Sequence, residues 1–264
     1  MMVTSSIVSG GLRSKGKYKF SNAEFPLVSI ITVVFNGEKH LEQTILSLIN
    51  QTYSNIEYII IDAGSTDGTL EIIKKHEENI DYWVSEPDNG IYDAMNKGIA
   101  LSKGELIGIL NSDDWYEEYT IIEIVNKFKN NPEIDIFHGL HKLWNKNGLL
   151  GIIGHTDLYL QYGMISHPTC FVKKEVYENY GGFDSIYKIS ADYELMLRFK
   201  SKSLKFFMIE KTLVNFRNDG ISNTSRKQIV FETNEIQWKY SIISAYKMRL
   251  NKFGFLFRSF FVSK

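Results

Sequence analysis

The sequence predicts an α/β fold with a mostly parallel, doubly wound central sheet and helices on both of its faces. Up to residue 116, apolar runs of strand length alternate with segments of helical periodicity, from strand to helix and back three times. The strand segments are rich in β-branched residues and nearly free of charge, which is typical of strands covered on both faces. Each strand ends in a polar loop, and such loops meet at one edge of a parallel sheet.

The elements of this first half follow from local patterns. Apolar, β-branched runs predict strands at 27–35, 56–61, 82–84 and 106–110. Apolar residues at helical spacing predict helices at 38–51, 70–78 and 91–101.

The pattern changes after residue 116, where shorter elements predict an α+β subregion. We expect helices at 117–130, 174–180 and 191–199, and strands at 134–137, 169–173, 206–209 and 213–216. The Asn147-Gly148 pair predicts a hairpin within 140–150. The polar segment 218–225 has no apolar periodicity and is expected to be a mobile loop.

These patterns divide the chain into an N-terminal extension (1–25), a main domain (26–225, with halves 26–116 and 117–225) and a helical C-terminal tail (226–264). From Trp238 onward the tail has six basic residues, no acidic residue and several phenylalanines. This composition suits the headgroup region of an anionic membrane. A terminal helix that docks on the core with its lysines in water explains it equally well.

Composition excludes several classes of protein. The net charge of −1 over 264 residues argues against a nucleic-acid binder with a wholly basic surface. The single cysteine, Cys170, cannot form an internal disulfide, and the sequence has no zinc-binding signature. No segment has the apolar core of a signal peptide or the roughly 18–20 apolar residues of a membrane span, so we expect a cytoplasmic protein.

Two loops carry closely spaced carboxylates. Asp113 and Asp114 follow the strand at 106–110, and such a pair repels unless it shares a cation, which predicts a site for a metal and a phosphorylated ligand. The loop 62–69 is rich in Gly, Ser, Thr and Asp. The alternative explanation is structural: an Asp before a helix is a common N-cap, and Asx turns favour the same residues.

Four segments, taken in order, resemble the family-two glycosyltransferases of the GT-A fold. They are Asn36 after the first strand, the loop 62–69, the segment from Asp88 to Gly98, and Asn111-Ser112-Asp113-Asp114. The ordered match covers roughly residues 27–116 and continues more weakly to about residue 220. The resemblance implies transfer of a sugar from a nucleotide-sugar donor, usually with inversion, and a divalent cation, Mg²⁺ or Mn²⁺.

The resemblance also assigns roles to individual residues. Asp114 would coordinate the cation, and Asp113 would lie nearer the ribose or the water shell of the metal. Asp192, at the start of a late helix, would be the catalytic base, with Glu194 as the second candidate, although an acidic residue is also favoured at any helix start. The remaining residues expected to bind the nucleotide-sugar are Asn36, Asp62, Ser65, Asp67, Asp93 and Asn96.

The sequence departs from the family's pattern at two positions. Met95 stands where many relatives have Arg, so binding of the diphosphate by a residue at this position is in doubt. Ala191 stands where relatives often have Glu. His167 is expected to border the acceptor and the donor sugar, or else to be a structural histidine. Arg217 and Arg226 are expected to belong to a loop that closes over the diphosphate, or to an ordinary basic surface loop.

The sequence therefore predicts an inverting glycosyltransferase that moves a sugar, from a UDP-sugar, to a hydroxyl of a glycan or polyprenyl-linked acceptor in surface polysaccharide biosynthesis. The tail would contact the cytoplasmic face of a bacterial membrane. One alternative is a nucleotide-sugar-binding subunit that has lost catalysis. Another is a sugar nucleotidyltransferase, which needs a Gly-rich, basic loop after the first strand that residues 35–40 do not supply.

Overall fold

A ten-stranded sheet organises the computed structural model, which describes residues 7–218, 226–244, 247–248 and 251. The strands are β1 (Val8–Gly10), β2 (Val28–Val34), β3 (Ile56–Asp62), β4 (Tyr82–Ser85), β5 (Leu106–Ile109), β6 (Trp115–Tyr116), β7 (Ile136–Asn145), β8 (Gly148–Ile153), β9 (Phe171–Lys173) and β10 (Phe206–Arg217). The helices are α1 (Leu41–Ile49), α2 (Thr69–Lys75), α3 (Ile91–Leu101), α4 (Thr120–Asn130), α5 (Lys174–Tyr180), α6 (Ala191–Ser201) and α7 (Arg226–Lys239).

The first half of the chain forms the predicted parallel sheet. Strands β4, β3, β2 and β5 lie side by side in parallel, and every residue of β2 and β3 is buried. One apolar core contains residues of α1 and α4, and a second contains residues of α3 and α6. Helices therefore cover both faces of the sheet, as their apolar stripes predicted.

The second half extends the same sheet with mixed strand directions. The strand order is β1-β4-β3-β2-β5-β9-β7-β10-β6, and β8 pairs with β7. Strand β9 runs antiparallel to both β5 and β7, and β10 is parallel to β7. A hairpin joins β7 to β8 around Asn147-Gly148, as predicted. The α+β subregion is thus continuous with the parallel half.

Three predictions of the elements were incomplete. The two late strands, which were expected to be separated by a break, are one strand, β10. Its pairing with β7 continues through register shifts around Thr212, as at a β-bulge. Helix α4 begins at Thr120, since residues 115–116 first pair with β10 as β6. Strand β1 adds an unpredicted antiparallel edge to β4, and three residues are too few to show a pattern.

The C-terminal tail is described only in part. Residues 226–239 form α7, which agrees with the predicted helical start of the tail. Most of the loop predicted at 218–225 and the phenylalanines from residue 253 onward lie outside the described residues. Within the described part, no helix has both the length and the apolar character needed to cross a bilayer.

Candidate active site

Two adjoining cavities lie where the parallel strands end. The larger, about 780 Å³, is lined by residues that follow β2, by the turn before α3, by residues 111–113 and by the end of β10. The smaller, about 350 Å³, lies beside the start of α6 and the segment 153–168. Ile91, Asn111 and Phe216 line both cavities, so the two share a wall. This is the edge at which open α/β sheets bind ligands.

The carboxylates of Asp113 and Asp114 have different surroundings. Asp113 lines the larger cavity, whereas Asp114 is buried beneath it. The backbone N–H of Arg217 donates to Asp114 Oδ1 at 2.9 Å, and the Thr44 hydroxyl donates to the Asp114 carbonyl at 2.7 Å. Burial, and then the charge of Asp113, raise the pKa of Asp114 well above its ordinary value. Asp113 therefore lies where it can meet a ligand in this cavity, and the expectation that Asp114 coordinates a cation stays a prediction.

Asn36 also lines the larger cavity, as predicted. It adopts a positive φ of 52° directly after β2, in the left-handed region that asparagine tolerates better than most residues. Its backbone N–H donates to Ser65 Oγ at 2.8 Å, and its Oδ1 accepts from the backbone N–H of Thr66 at 2.9 Å. Asn36 therefore fixes the loop after β3 against the loop after β2.

Asp62 and Ser65 hold that second loop together. The buried Asp62 carboxylate accepts from the backbone N–H of Ser65 at 3.0 Å and from the hydroxyl of Ser85 at 2.6 Å. The Ser65 hydroxyl donates to Asp62 Oδ1 at 2.5 Å. Neither residue lines either cavity. Both side chains therefore stabilise the loop, and the expectation that they also contact the nucleotide stays a prediction.

Asp67 forms a turn before a helix, which is the structural alternative given above for the loop 62–69. Its Oδ1 accepts from the backbone N–H of Thr69 at 3.1 Å, and its Oδ2 accepts from the backbone N–H of Glu38 at 3.1 Å. Burial alone would raise the pKa of Asp67, but these hydrogen bonds and that of the Thr69 hydroxyl lower it overall. Asp67 therefore forms the turn that begins α2, and it lies outside both cavity linings.

Asp93 and Asn96 share one face of α3, and neither residue lines either cavity. Asp93 Oδ2 accepts from the backbone N–H of Asn89 at 3.0 Å, which closes the turn before α3. Asn96 exchanges two hydrogen bonds of 2.8 Å with the backbone of Phe183. These hydrogen bonds hold segments beside the cavities in place, and direct binding of the donor by Asp93 and Asn96 stays a prediction.

Asp192 lies in the first turn of α6 and lines the smaller cavity. Burial raises the pKa of Asp192 to about 6, although the Tyr193 N–H, 2.8 Å from Oδ1, and the Tyr92 hydroxyl, 3.4 Å from it, oppose the rise. The charge of Glu232 adds to the rise. A carboxylate with a pKa closer to neutrality is a stronger general base than an ordinary aspartate.

Glu194, the second candidate for the base, lies outside the linings of both cavities. Its fully buried carboxylate lies 2.8 Å from Lys239 Nζ and 3.2 Å from Arg198 Nη2. The hydroxyl of Tyr240 donates to it at 2.6 Å. These contacts connect α6 to the end of α7, which favours a structural role for Glu194 over the predicted second base.

The smaller cavity is also lined by several basic residues, of which only His167 was expected there. Burial lowers the pKa of His167 to about 4, so its ring is neutral at physiological pH. His141 and His155 line the same cavity, as does Lys188. His141 lies within β7 and His155 follows β8. A single histidine in or beside a strand gives no signal in a sequence, which is why these residues were missed.

Of the two arginines expected near the diphosphate, only one lines a cavity. Arg217, the last residue of β10, lines the larger cavity, and its guanidinium stacks 4.5 Å from the ring centroid of Trp115 and donates to Gln43. Lys39 adds a second basic residue to this lining. Arg226 is exposed at the start of α7 and is absent from both cavity linings. The basic charge expected near a diphosphate is therefore that of Arg217.

The larger cavity suits a cation that arrives with a phosphorylated ligand. Within the described part of the chain, no group of three or more His, Cys, Asp or Glu side chains could hold a metal by itself. Magnesium in phosphate sites is typically bound by one or two carboxylates together with the phosphates and water. Asp113 offers one such carboxylate in the cavity lining, so the donor set fits a metal of this kind.

Comparison with known proteins agrees with this geometry. The family model described as glycosyl transferase family 2 matches residues 29–151. An uncharacterized glycosyltransferase of Mycobacterium tuberculosis is 33% identical over 212 residues, covering 78% of this chain and 80% of that protein. The chondroitin synthase of Escherichia coli is 29% identical over 211 residues, covering 77% of this chain and 30% of that protein.

Solved structures show the same fold at low identity. Staphylococcus aureus TarS 1–349 in complex with UDP-GlcNAc superposes with a TM-score of 0.68 at 17% identity, covering 87% of this chain and 71% of that one. The mannosyltransferase PcManGT from Pyrobaculum calidifontis, in complex with GDP-Man and Mn²⁺, gives a TM-score of 0.64 at 16% identity, covering 85% of this chain and 68% of that one.

Proposed function

Because this chain belongs to glycosyltransferase family 2 and has the GT-A fold, we propose that it is an inverting, metal-dependent glycosyltransferase that uses a UDP-sugar. The acceptor is a hydroxyl of a glycan or lipid-linked glycan, and the setting is surface polysaccharide biosynthesis at the cytoplasmic side of a membrane. The observation that carries the proposal is the shared wall between two cavities, one lined by Asp113 and Arg217 and the other by Asp192.

The larger cavity is proposed to bind the donor. Arg217 and Lys39 place positive charge where a nucleoside diphosphate needs it, and charge-assisted hydrogen bonds to phosphate are among the stronger polar contacts. The UDP-GlcNAc bound to TarS and the GDP-Man bound to PcManGT support a nucleotide-sugar here.

Asp113 is proposed to hold the divalent cation, in place of Asp114. A hard cation at this position would neutralise the charge that develops on the diphosphate leaving group. Asp114 supports the site from below, since its carboxylate receives the backbone N–H of Arg217 and its carbonyl receives the hydroxyl of Thr44. The Mn²⁺ of PcManGT supports a divalent cation without identifying it.

Asp192 is proposed to be the general base. Inversion by a single displacement requires the base and the leaving group to lie on opposite sides of the reacting carbon. Asp192 lines the smaller cavity and Asp113 and Arg217 line the larger one, and the two adjoin at Ile91, Asn111 and Phe216, which supports a base on one side and a leaving group on the other. An acceptor hydroxyl in the smaller cavity could then transfer its proton to Asp192 as it attacks the donor sugar.

Metal-dependent release of UDP tests this proposal. We expect UDP-GlcNAc, or another member of a UDP-, GDP- and dTDP-sugar panel, to be turned over with Mn²⁺ or Mg²⁺ and not with EDTA. Asp113→Asn should abolish this release in a protein that still folds, as circular dichroism should confirm. Asp114→Asn is the matched control, because asparagine resembles the protonated acid that burial favours and can still accept from the Arg217 N–H.

The outcomes separate the alternatives. If Asp114→Asn abolished release in a folded protein while Asp113→Asn retained it, the assignment of the cation ligand would be reversed. If the protein bound nucleotide-sugars but turned none of them over with either metal, the catalytically degenerate binding subunit would replace the transferase.

A further inference from the structure

The hairpin of β7 and β8 exposes an unusually apolar edge. Strand β8 reads Gly-Leu-Leu-Gly-Ile-Ile, without a charged or polar side chain. Leu150 and Ile152 are 54% and 57% exposed, and Leu149 and Ile153 are also exposed. Among the described residues, β8 pairs with β7 alone, so its outer edge is open. Proteins normally protect such an edge with charges, proline or a covering element, and an exposed apolar patch marks an interaction site.

The apolar surface continues beyond β8. The short 3₁₀ helix Asp157–Gln161 follows, and Leu158 within it and Tyr162 after it are 68% and 69% exposed. We call Leu149, Leu150, Ile152, Leu158 and Tyr162 the hairpin surface. Ile153 and His155, which lie between its two parts, and Tyr159, which lies within the second part, line the smaller cavity that contains Asp192. The hairpin surface therefore adjoins the proposed acceptor site.

The charge of the hairpin is one-sided. Residues 141–153 contain Lys142 and Lys146 and no acidic residue. Lys142 pairs with Glu117 at 2.6 Å, whereas Lys146 is exposed in the hairpin turn. Exposed apolar side chains together with an exposed lysine suit the boundary between headgroups and acyl chains of an anionic bilayer.

We propose that the hairpin surface contacts an anionic phospholipid bilayer and thereby holds the smaller cavity at the membrane, where a lipid-linked acceptor is presented. This inference rests on the acceptor class given under the proposed function. A second copy of the chain is a poorer occupant. Ile152 pairs with Lys142 and Ile153 with His141, so adjacent apolar side chains of β8 face opposite sides of the sheet. Pairing of two β8 edges would leave both faces in water, whereas insertion into a bilayer covers both.

Vesicle flotation of the full chain, without donor or acceptor, tests the proposal. We expect the protein to float with phosphatidylglycerol–phosphatidylethanolamine vesicles and weakly with phosphatidylcholine alone. The double substitution Leu150→Asn/Ile152→Asn should lower the partition coefficient by about tenfold or more, since it removes two apolar contacts. Lys146→Ala should lower binding about fivefold, and only to the anionic vesicles.

Phe20→Asn/Phe25→Asn is the matched control. These side chains are 76% and 47% exposed, and the Asn55 amide donates to the backbone carbonyls of both residues, just before the amino end of β3. They therefore lie at the edge of the sheet opposite the cavities. We expect this variant to float as the unaltered chain does. All variants change exposed side chains, and melting temperatures should confirm that each is folded.

Three results would overturn the inference. The first is absence of flotation by the unaltered chain with anionic vesicles, and the second is equal flotation of the Leu150/Ile152 variant and the control. The third is dimerisation that this variant abolishes without any vesicle binding, which would assign the hairpin surface to a second copy. None of these results depends on turnover. If any of these results were obtained and the protein still released UDP in a metal-dependent way, the proposed function would stand and only the membrane contact would be refuted.

Discussion

Replacing Asp192 with asparagine should change activity and stability in opposite directions. Burial is the main cause that raises the pKa of this carboxyl from 3.8 to about 6. If Asp192 is the base, kcat/KM rises with pH and reaches half of its plateau near pH 6. At pH 5 about one carboxyl in ten is ionised, so the rate should be about tenfold below the plateau. Asp192→Asn should lower transfer at pH 7 by about 10²- to 10⁴-fold and remove this dependence.

The same shift affects the free energy of unfolding. Since the pKa is higher in the folded state, the stability that the group contributes is full below about pH 4 and is lost as pH rises through 6. A shift of about 2 units corresponds to about 3 kcal/mol. Asparagine carries no charge to bury, so Asp192→Asn should be more stable than the unaltered protein at pH 7, by up to about 3 kcal/mol. This advantage should disappear near pH 4.

Two measurements check this reasoning. Urea denaturation at pH 4 and pH 7 gives the stability difference, and transfer rates between pH 5 and pH 8 give the activity profile. Binding of UDP is the internal control, because Asp192 lines only the smaller cavity and its replacement should leave UDP affinity unchanged. Transfer within tenfold of the unaltered enzyme at pH 7 would refute the base assignment. A stability difference that did not change with pH would refute the burial argument.

Two further substitutions test the roles of neighbouring charges. Glu194→Gln removes the charge that pairs with Lys239 and Arg198. We therefore expect the free energy of unfolding, measured by urea denaturation, to fall by about 3 kcal/mol, and kcat in the folded fraction to be unchanged. A folded but inactive variant would show that Glu194 takes part in the reaction. Arg217→Ala should weaken UDP binding in calorimetry by about tenfold, because it removes a cation from the larger cavity and leaves the backbone N–H on Asp114 in place. Arg217→Lys should recover part of that affinity, and unchanged binding by the alanine variant would remove Arg217 from the donor site.

The sequence was most informative where burial on both faces leaves little choice. Strands predicted at 27–35 and 56–61 are observed as Val28–Val34 and Ile56–Asp62, because an uninterrupted β-branched run is buried whichever way it faces. Helix α3 was predicted at its observed bounds, since Gly90 and Ser102 flank one periodic segment. The sequence was less informative in β10, where exposed polar residues interrupt the apolar pattern while the backbone continues to pair with β7.

The sequence indicated which residue types occupy the loops of the candidate site, but not whether each side chain faces the cavity or its own loop. A polar loop residue that caps a helix and one that binds a ligand are chosen from the same small set, because both must accept hydrogen bonds. Asp62, Asp67 and Asp93 turned out to accept backbone N–H groups of their own loops, and nothing in their spacing distinguishes that from nucleotide binding.

The pair Asp113-Asp114 shows what determines the direction. In this turn Asp113 lines the larger cavity, whereas the Asp114 carboxylate is buried, and a buried carboxylate needs a hydrogen-bond donor. That donor is the backbone N–H of Arg217, at the end of the last strand of the sheet and 103 residues away in sequence. The partner thus depends on how β10 is placed beside β6, which local sequence around residues 111–114 does not contain. A carboxylate pair after a parallel strand therefore predicts that one member meets the ligand, and the long-range partner of the other decides which.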